Sequence, residues 1–193
     1  RDAEPMKDGH TDNYYYQMID GIRRYKGVSQ QATADEARAI TIDGSFSDWN
    51  NVNLTYYDTY NDTVHRNWPG CENHIYTNAT GRNDIVESKV AFDAYKVYFY
   101  VETVEKLTSN IGDNWMLLYI KSDCDYETGW EGYDYVVNRF RCDEFALLER
   151  ILGNSWELEP VAMVKYAYSG KGLELAIPRN LIERDNKKYI SFD

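Results

Sequence analysis

The sequence predicts an all-β protein, an antiparallel β-sandwich of the two-sheet immunoglobulin or jelly-roll type with one N-terminal α-helix. From Ala39 onward, short runs of strand-forming residues follow one another at close intervals, separated by Asp, Asn and Gly turn residues. Such a succession of short strands with few helices is typical of β-sandwiches. A chain of 193 residues is long enough for one full core. We therefore predict a helix and linker over residues 1–38 and a sandwich domain over residues 39–193.

Residues 12–26 have the pattern of an amphipathic helix. Thr11 or Asp12 is a suitable N-cap, and Gly27 is a favourable C-terminal stop. Apolar residues at helical spacing define one face of this helix: Tyr15, Met18, Ile19 and Ile22. A single helix cannot bury such a face alone, so it has to pack on the sandwich or on a neighbouring domain. Residues 29–38 are polar and have no apolar period, which predicts a linker.

The predicted strands are short, rich in β-branched and aromatic residues, and bounded by turn residues. They are residues 40–42, 52–57, 87–92, 97–102, 115–120, 133–138, part of 156–168, 173–177 and 189–192. Residues 145–151 are compatible with either helix or strand, and residues 178–182 predict a short helical turn. The four residues at 93–96 separate two of these strands and predict a hairpin.

An acidic loop connects the predicted strands at residues 115–120 and 133–138. Asp123 and Asp125 alternate within the loop, and Asp134 lies just beyond it. Carboxylates that alternate in a turn direct hard oxygen atoms towards one centre, which suits Ca²⁺. The spacing differs from the twelve-residue EF-hand loop. The sequence therefore predicts either a calcium site formed by Asp123, Asp125 and Asp134 or a solvated acidic hairpin loop.

The composition excludes several classes of partner. The formal net charge is −11, with 32 acidic and 21 basic residues and no basic patch, so we expect no nucleic-acid partner. No apolar segment has transmembrane length, and we expect no membrane insertion. The three cysteines, Cys71, Cys124 and Cys142, lack CxxC spacing, which argues against a metal–thiolate site. The sequence does not select a disulfide pair among them.

Aromatic residues form 15% of the chain, more than a core of this size usually needs. Trp49 and Trp115 are expected to pack in the core. Trp68 and Trp130 lie in polar segments, where an exposed ring can stack on a sugar. The long loop at residues 58–84 contains Trp68 and ends in polar residues that either bind sugar hydroxyls or cap the loop. The predicted ligand site consists of Trp68, Trp130, Arg82, Asn83 and Asp84.

Four motifs occur in an order that is known from one family. They are IDGSFSDW at residues 42–49, VAFD at 90–93 followed by VYFYV at 97–101, GYDY at 132–135 and LELAIP at 173–178. In this order they resemble domains of carbohydrate-binding module family 9, which are related in shape to DOMON domains. The resemblance covers residues 40–193. The chain departs from the family pattern in its loop at residues 58–84 and at Lys121, where many relatives have an acidic residue.

The resemblance implies a non-catalytic module that binds oligo- or polysaccharide within a larger saccharide-processing protein. It also implies a β-sandwich with structural calcium and no organic cofactor. Such modules are usually attached to glycoside hydrolases, so residues 1–38 are expected to be the tail of an upstream catalytic domain of the same chain. We accordingly expect a secreted, periplasmic or cell-surface location in bacteria.

Three other functions stay open at the level of the sequence. The first is a structural accessory domain that packs on a glycoside hydrolase and binds no sugar. The second is a glycoside hydrolase in its own right, which needs two opposed carboxylates that cannot be singled out among 32 acidic residues. The third is haem binding through Met116 or Met163 with His65 or His74. Since neither GxSxG nor HExxH is present, we predict that the chain is not an enzyme.

Overall fold

A computed structural model describes residues 36–61, 63, 66–69, 75–111, 115–122, 128–130, 132–153 and 155–182. The strands in these ranges are β1 (Thr55–Tyr57), β2 (Arg66–Pro69), β3 (Ile75–Asn78), β4 (Ile85–Phe92), β5 (Lys96–Thr103), β6 (Leu118–Ile120), β7 (Tyr135–Cys142), β8 (Phe145–Leu152), β9 (Glu157–Ser169) and β10 (Gly172–Pro178). A 3₁₀ helix spans Phe46–Asn51, and a short α-helix, α1, spans Arg179–Ile182. The helix predicted at residues 12–26 and the strand predicted at 189–192 lie outside the described residues.

Eight of the strands form one antiparallel sheet in the order β1-β4-β5-β10-β9-β8-β7-β6. The sheet curls into a half-barrel, and β2 and β3 form a separate hairpin. The prediction of an antiparallel β protein is therefore confirmed, whereas the division into two facing sheets and the N-terminal helix are not. Within the described residues, no helix has the length and hydropathy needed to cross a membrane.

Strand β9 is the element that joins the two halves of the curled sheet. Its first part, residues 157–165, pairs with β8, and its last part, residues 166–169, pairs with β10. A long strand that changes its pairing partner along its length makes a bend in a β structure. The register of β8 against β9 shifts between Leu148 and Glu149, where Glu149 faces Pro160. Proline cannot donate to the ladder, so a position at such an irregularity suits it.

The main core fills the inside of the curl. Both halves of the sheet contribute to it, with Phe99, Leu175 and Ile177 from β5 and β10 and Tyr135, Val137 and Leu148 from β7 and β8. Trp115, which the sequence places in the core, is 2% exposed and belongs to this cluster. Burial of these apolar side chains supplies the main driving force that holds the two halves together.

A second apolar cluster covers the other face of β4, β5 and β10. Residues 40–52 lie across this face and pack Ile42 and Trp49 against Tyr98 and Tyr100. The segment predicted as a strand at residues 40–42 is not paired in the sheet. Trp49 is 1% exposed, which confirms that it is a core residue. Because both faces of β10 are covered, its residues 172–177 are buried in succession instead of alternating.

Candidate functional site

Four aromatic rings form a partly exposed group that we call the aromatic cluster. Its members are Tyr119, Trp130, Tyr133 and Trp156. The ring centroids of Trp130 and Trp156 lie 4.9 Å apart with an interplanar angle of 68°. Tyr119 lies between them and Tyr133, with centroid distances of 5.9 Å to Trp130, 6.2 Å to Trp156 and 5.5 Å to Tyr133. Edge-to-face and tilted contacts at these distances are favourable for aromatic rings.

The aromatic cluster lies on the face of the sheet opposite the main core. Tyr119 pairs in register with Val136, and Val136 pairs with Glu149, so these three side chains share one face. The neighbouring residue Val137 belongs to the main core, and successive strand residues point to opposite faces. Val136 has no exposed surface. The cluster is therefore a layer of side chains laid over β6, β7 and β8.

The two tryptophans give the cluster its accessible surface. Trp130 is 36% exposed and Trp156 is 43% exposed. Among the described residues, these two indoles are the exposed large aromatic side chains that contact each other. Exposed indoles held by neighbouring rings are a typical feature of ligand-binding surfaces, since a ligand can bury apolar area there without moving the protein.

The chain holds Trp130 in place through a tight turn. Trp130 and Tyr133 form a short antiparallel bridge, with N···O distances of 3.0 Å and 2.9 Å. Gly129 precedes this bridge with a φ of +70°, and a Cβ on it would lie 1.9 Å from the Tyr133 carbonyl oxygen. Only glycine avoids that contact and adopts this φ without strain. The turn thus fixes the direction in which the Trp130 ring leaves the backbone.

Asp134 anchors the same hairpin from inside. It has no exposed surface, and its Oδ2 accepts hydrogen bonds from the Ser122 backbone N–H at 2.7 Å and from the Ser122 hydroxyl at 3.0 Å. Its Oδ1 accepts a hydrogen bond from the Thr128 hydroxyl at 3.3 Å. A buried carboxylate requires such donors, because desolvation without them is very unfavourable. The acidic loop is consequently tied at both ends, at Ser122 and Thr128.

A cation and an anion lie beside the rings. The guanidinium carbon of Arg139 lies 5.6 Å from the centroid of the Trp156 ring, within cation–π range. Arg139 Nη1 donates to both Glu149 oxygens, at 3.3 Å and 3.4 Å. The side chain of Arg139 is 37% exposed and that of Glu149 is 10% exposed. The cluster therefore has a polar side on which a donor and an acceptor lie next to each other.

The phenol of Tyr119 stays neutral at ordinary pH. Burial raises the pKa of Tyr119. Nearby Arg139 lowers this pKa and Tyr133 raises it, and the net shift of the pKa is upward. A neutral phenol hydroxyl both donates and accepts hydrogen bonds. The aromatic cluster thus offers a ligand apolar rings and the neutral hydroxyl of Tyr119, and among the described residues the Arg139–Glu149 pair is the ion pair in contact with the rings.

The predicted ligand residues are distributed over separate parts of the structure. Trp130 belongs to the aromatic cluster. Trp68 lies in β2 opposite Tyr76 in β3, and its side chain is outside the described ones. The loop at residues 58–84, for which the sequence shows no strand pattern, thus contains the β2–β3 hairpin.

The predicted polar rim lies at the start of β4, and β5, β10 and β9 separate β4 from β8 in the sheet order. Asn83 Oδ1 accepts hydrogen bonds from the Thr108 backbone N–H at 2.9 Å and from its hydroxyl at 3.1 Å. Asp84 is 3% exposed and accepts the Asn61 N–H at 2.7 Å. Arg82 is exposed beside them. The contacts of Asn83 and Asp84 are those of loop capping, and the role of all three as a sugar rim stays a prediction.

The predicted calcium ligands are only partly described. Asp134 makes the hydrogen bonds given above, and Asp123 and Asp125 lie outside the described residues. Lys121, at the start of the acidic loop, is buried at 3% exposure. The calcium site therefore stays a prediction. Of the cysteines, Cys142 is described as an exposed free thiol, and Cys71 and Cys124 lie outside the described residues.

Several residues of the aromatic cluster were not assigned to a site from the sequence. The predicted ligand site does not include Tyr119, Tyr133 or Trp156, nor the neighbouring residues Arg139 and Glu149. The available signal was the position of Trp156 in a polar turn between two strand patterns, which is the same signal that identified Trp130. The strand register that brings Tyr119 and Glu149 to one face could not be read from the sequence.

The main core also contains a small apolar cavity of about 80 Å³. It is lined by side chains of the curled sheet, including Phe99, Leu118, Leu173 and Leu175. Ligand pockets for cofactor-sized molecules typically have volumes of about 300–1,000 Å³. The cavity is therefore too small for an oligosaccharide, and the aromatic cluster is the better candidate site.

No protein-family model, curated protein or solved structure matches this chain. The functional argument accordingly depends on the geometry and chemistry of the aromatic cluster.

Proposed function

We propose that this chain is a non-catalytic carbohydrate-binding module of a larger saccharide-processing protein, and that saccharide binds at the aromatic cluster. The observation that carries the proposal is the pair of contacting, solvent-exposed indoles, Trp130 and Trp156. The C–H faces of a pyranose ring bury apolar area against such indoles, and its hydroxyls remain at the edge. Arg139 and Glu149 lie at this edge and supply hydrogen-bonding groups.

Preorganisation supports this site. The two indoles are held by Tyr119 and by the Gly129–Tyr133 turn, so binding requires little further ordering of side chains. Each side chain that is immobilised on binding reduces affinity by about 0.5–1.5 kcal/mol, and a rigid site avoids most of this loss. A ligand of low intrinsic affinity, such as a saccharide, benefits most from a surface of this kind.

The wider proposal follows the resemblance to family 9 modules. It includes a sandwich-type architecture, a glycoside hydrolase domain upstream in the same chain, and a secreted, periplasmic or cell-surface location. It also includes a structural calcium ion held by Asp123, Asp125 and Asp134. If calcium binds there, a chelator lowers the melting temperature of the protein and added calcium restores it. A melting temperature that chelator leaves unchanged removes calcium from the proposal.

The direct test is a binding screen against oligosaccharides by isothermal titration calorimetry, with alanine variants of the two indoles. We expect Trp130→Ala and Trp156→Ala each to weaken binding about tenfold, because the loss of one stacking ring corresponds to roughly 1.4 kcal/mol. Tyr95→Ala is the control, since Tyr95 is 79% exposed at the β4–β5 turn and belongs to another surface. If an oligosaccharide binds equally well to the wild type and to all three variants, its binding site lies elsewhere.

A second function is consistent with the same exposed rings. Tryptophan and tyrosine are enriched at protein–protein interfaces, so the aromatic cluster also fits a structural accessory domain that packs on its catalytic neighbour. The same variants distinguish the two functions. The accessory domain would be favoured by two results together. The wild type would bind a glycoside hydrolase domain but no saccharide, and Trp130→Ala would abolish the binding of that domain.

A further inference from the structure

In the described part of the chain, Arg139 and Glu149 form an ion pair of balanced charge beside the aromatic cluster. Arg139 Nη1 lies 3.3 Å from one Glu149 oxygen and 3.4 Å from the other, so the two formal charges compensate each other. Glu149 is 8% exposed as a residue, whereas more than a third of the Arg139 side chain is exposed. The accessible part of the pair is therefore an edge of the Arg139 guanidinium, and the more buried Glu149 carboxylate compensates its charge.

We propose that the aromatic cluster selects uncharged saccharides and that the Arg139–Glu149 pair is the specificity determinant. The inference rests on the proposed saccharide-binding function and adds the chemical class of the ligand. A guanidinium has five N–H donors, and in Arg139 the nitrogen that donates to Glu149 is Nη1. The remaining donors of Arg139 match saccharide hydroxyls, which accept them, and the nearly buried carboxylate of Glu149 sets the charge balance of the pair.

Anionic saccharides are disfavoured by this arrangement. A uronate or sulfate that pairs with Arg139 has to compete with Glu149, and success would leave a nearly buried carboxylate without its cation. A nearly buried carboxylate that loses its counter-charge is unfavourable, because its desolvation is then no longer compensated.

Cationic saccharides are disfavoured as well. The guanidinium of Arg139 already lies over the Trp156 ring, 5.6 Å from its centroid, and occupies the position that a ligand cation would seek. An ammonium group at this position would have to displace the guanidinium, which Glu149 holds there. Tyr119, the ring at the centre of the cluster, contributes a neutral phenol and offers no compensating negative charge.

The test compares the affinities of matched oligosaccharides for the wild-type protein. Each neutral oligosaccharide is paired with its uronate counterpart, and N-acetylated chitin oligosaccharides are paired with chitosan oligosaccharides, which carry free amines. We expect the neutral member of a pair to bind at least about tenfold more tightly, with an affinity that hardly changes between low and high NaCl concentration. This comparison needs no variant and does not depend on the folding of one.

Two variants test the residues themselves. Glu149→Gln leaves the charge of Arg139 uncompensated, so we expect uronate binding to gain about tenfold while binding of the neutral counterpart falls. Arg139→Gln removes the donor and the cation, and we expect weaker binding of the neutral ligand with no gain for the uronate. Glu144→Gln is the charge-matched control, because Glu144 pairs with Lys165 at 3.4 Å at the other end of β8.

The outcomes separate this inference from the proposed function. If the wild type binds uronates or chitosan at least as tightly as their neutral counterparts, the inference is overturned and the proposed saccharide binding stands. Neutral selectivity that survives both Arg139→Gln and Glu149→Gln overturns the role of the pair. Wild-type protein that binds no oligosaccharide of either class overturns the proposed function and the inference with it.

Discussion

A single buried carboxylate connects the first described segment to the sheet. Glu174 in β10 has no exposed surface, and its Oε1 accepts the backbone N–H groups of Asp43 and Gly44 at 2.9 Å and 2.8 Å. Its Oε2 accepts the Trp49 indole N–H at 2.9 Å. The IDG and DW parts of the first motif thus share a physical role, because together they supply three donors to one buried carboxylate. Hydrogen bonds to a buried charge are among the stronger ones in proteins.

Glu174→Gln tests this role, because glutamine keeps the shape but replaces one acceptor oxygen with a donor. We expect the free energy of unfolding to fall by about 2–4 kcal/mol, since at least one buried donor loses its partner. Urea denaturation measures this change. Glu105→Gln is the control at an exposed position. A loss below about 0.5 kcal/mol would show that the Glu174 contacts contribute little to stability.

Asp93 provides a pH-dependent contribution to stability. Burial raises its pKa, but hydrogen bonds from the Tyr98 hydroxyl at 2.6 Å and from the backbone N–H groups of Tyr95 and Lys96 at 2.7 Å outweigh this, and the net pKa is lowered from 3.8. The ionised form is therefore favoured by folding. Its stabilisation is present above pH 3.8 and is lost as the pH falls through the lowered pKa. For Tyr98, burial and the Asp93 carboxylate raise the pKa to about 12.

Asp93→Asn should accordingly be less stable than the wild type at pH 7, and the difference should shrink as the pH falls below 3.8. Denaturation midpoints measured between pH 7 and pH 3 follow this change. A difference that stays constant over the whole range would mean that the charge of Asp93 is not what stabilises the turn.

At the scale of elements, the β6–β7 hairpin positions one side of the aromatic cluster and the β8–β9 turn positions the other. The hairpin is local in sequence, and its Gly129–Trp130 turn lies between two strand patterns, so Trp130 could be singled out from the sequence. Trp156 joins it through the long-range register of β7, β8 and β9. Hydrophobic alternation predicts that a strand exists but leaves its partner and register open, so the contact of Trp156 with Trp130 was not predictable.

Gly129→Ala tests the turn that directs Trp130. Alanine is strained at a φ of +70°, and its Cβ would meet the Tyr133 carbonyl oxygen at 1.9 Å. Gly153→Ala is a matched control, since Gly153 has a φ of +59° and nothing within 4 Å of an added Cβ. We expect both variants to lose about 1–2 kcal/mol from backbone strain, and Gly129→Ala to lose clearly more because of the added clash.

The measurement for this pair is urea denaturation together with saccharide affinity. Gly129→Ala should also weaken saccharide binding, because Trp130 is displaced, whereas Gly153→Ala should leave the affinity unchanged. Equal losses of stability in the two variants, with unchanged affinity in both, would contradict the role given to Gly129.

At the scale of the whole molecule, one curled sheet encloses the main core, which in a sandwich lies between two facing sheets. The main core joins Ile177 of β10 to Val137 of β7 across the inside of the curl, and β9 continues from one half to the other. Short strands with the same alternation fit either a sandwich or a curled sheet, and here the pairing of β9 with both β8 and β10 makes one sheet. The antiparallel β class was therefore predictable from turn residues and short strands, whereas the single-sheet topology was not.

The whole fold leaves the aromatic cluster on its outer face, where we propose that saccharide binds. The protein has five tryptophans, so their indole N–H groups can be followed individually by NMR during titration with a neutral oligosaccharide. Trp49 and Trp115 are internal controls, because their indole N–H groups are bonded to Glu174 and to Thr108 away from solvent.

We predict that the indole N–H signals of Trp130 and Trp156 shift on addition of the saccharide, while those of Trp49 and Trp115 stay in place. Saturable shifts confined to Trp130 and Trp156 would place the ligand on the aromatic cluster. A bound saccharide that leaves both of these signals unchanged would contradict the claim.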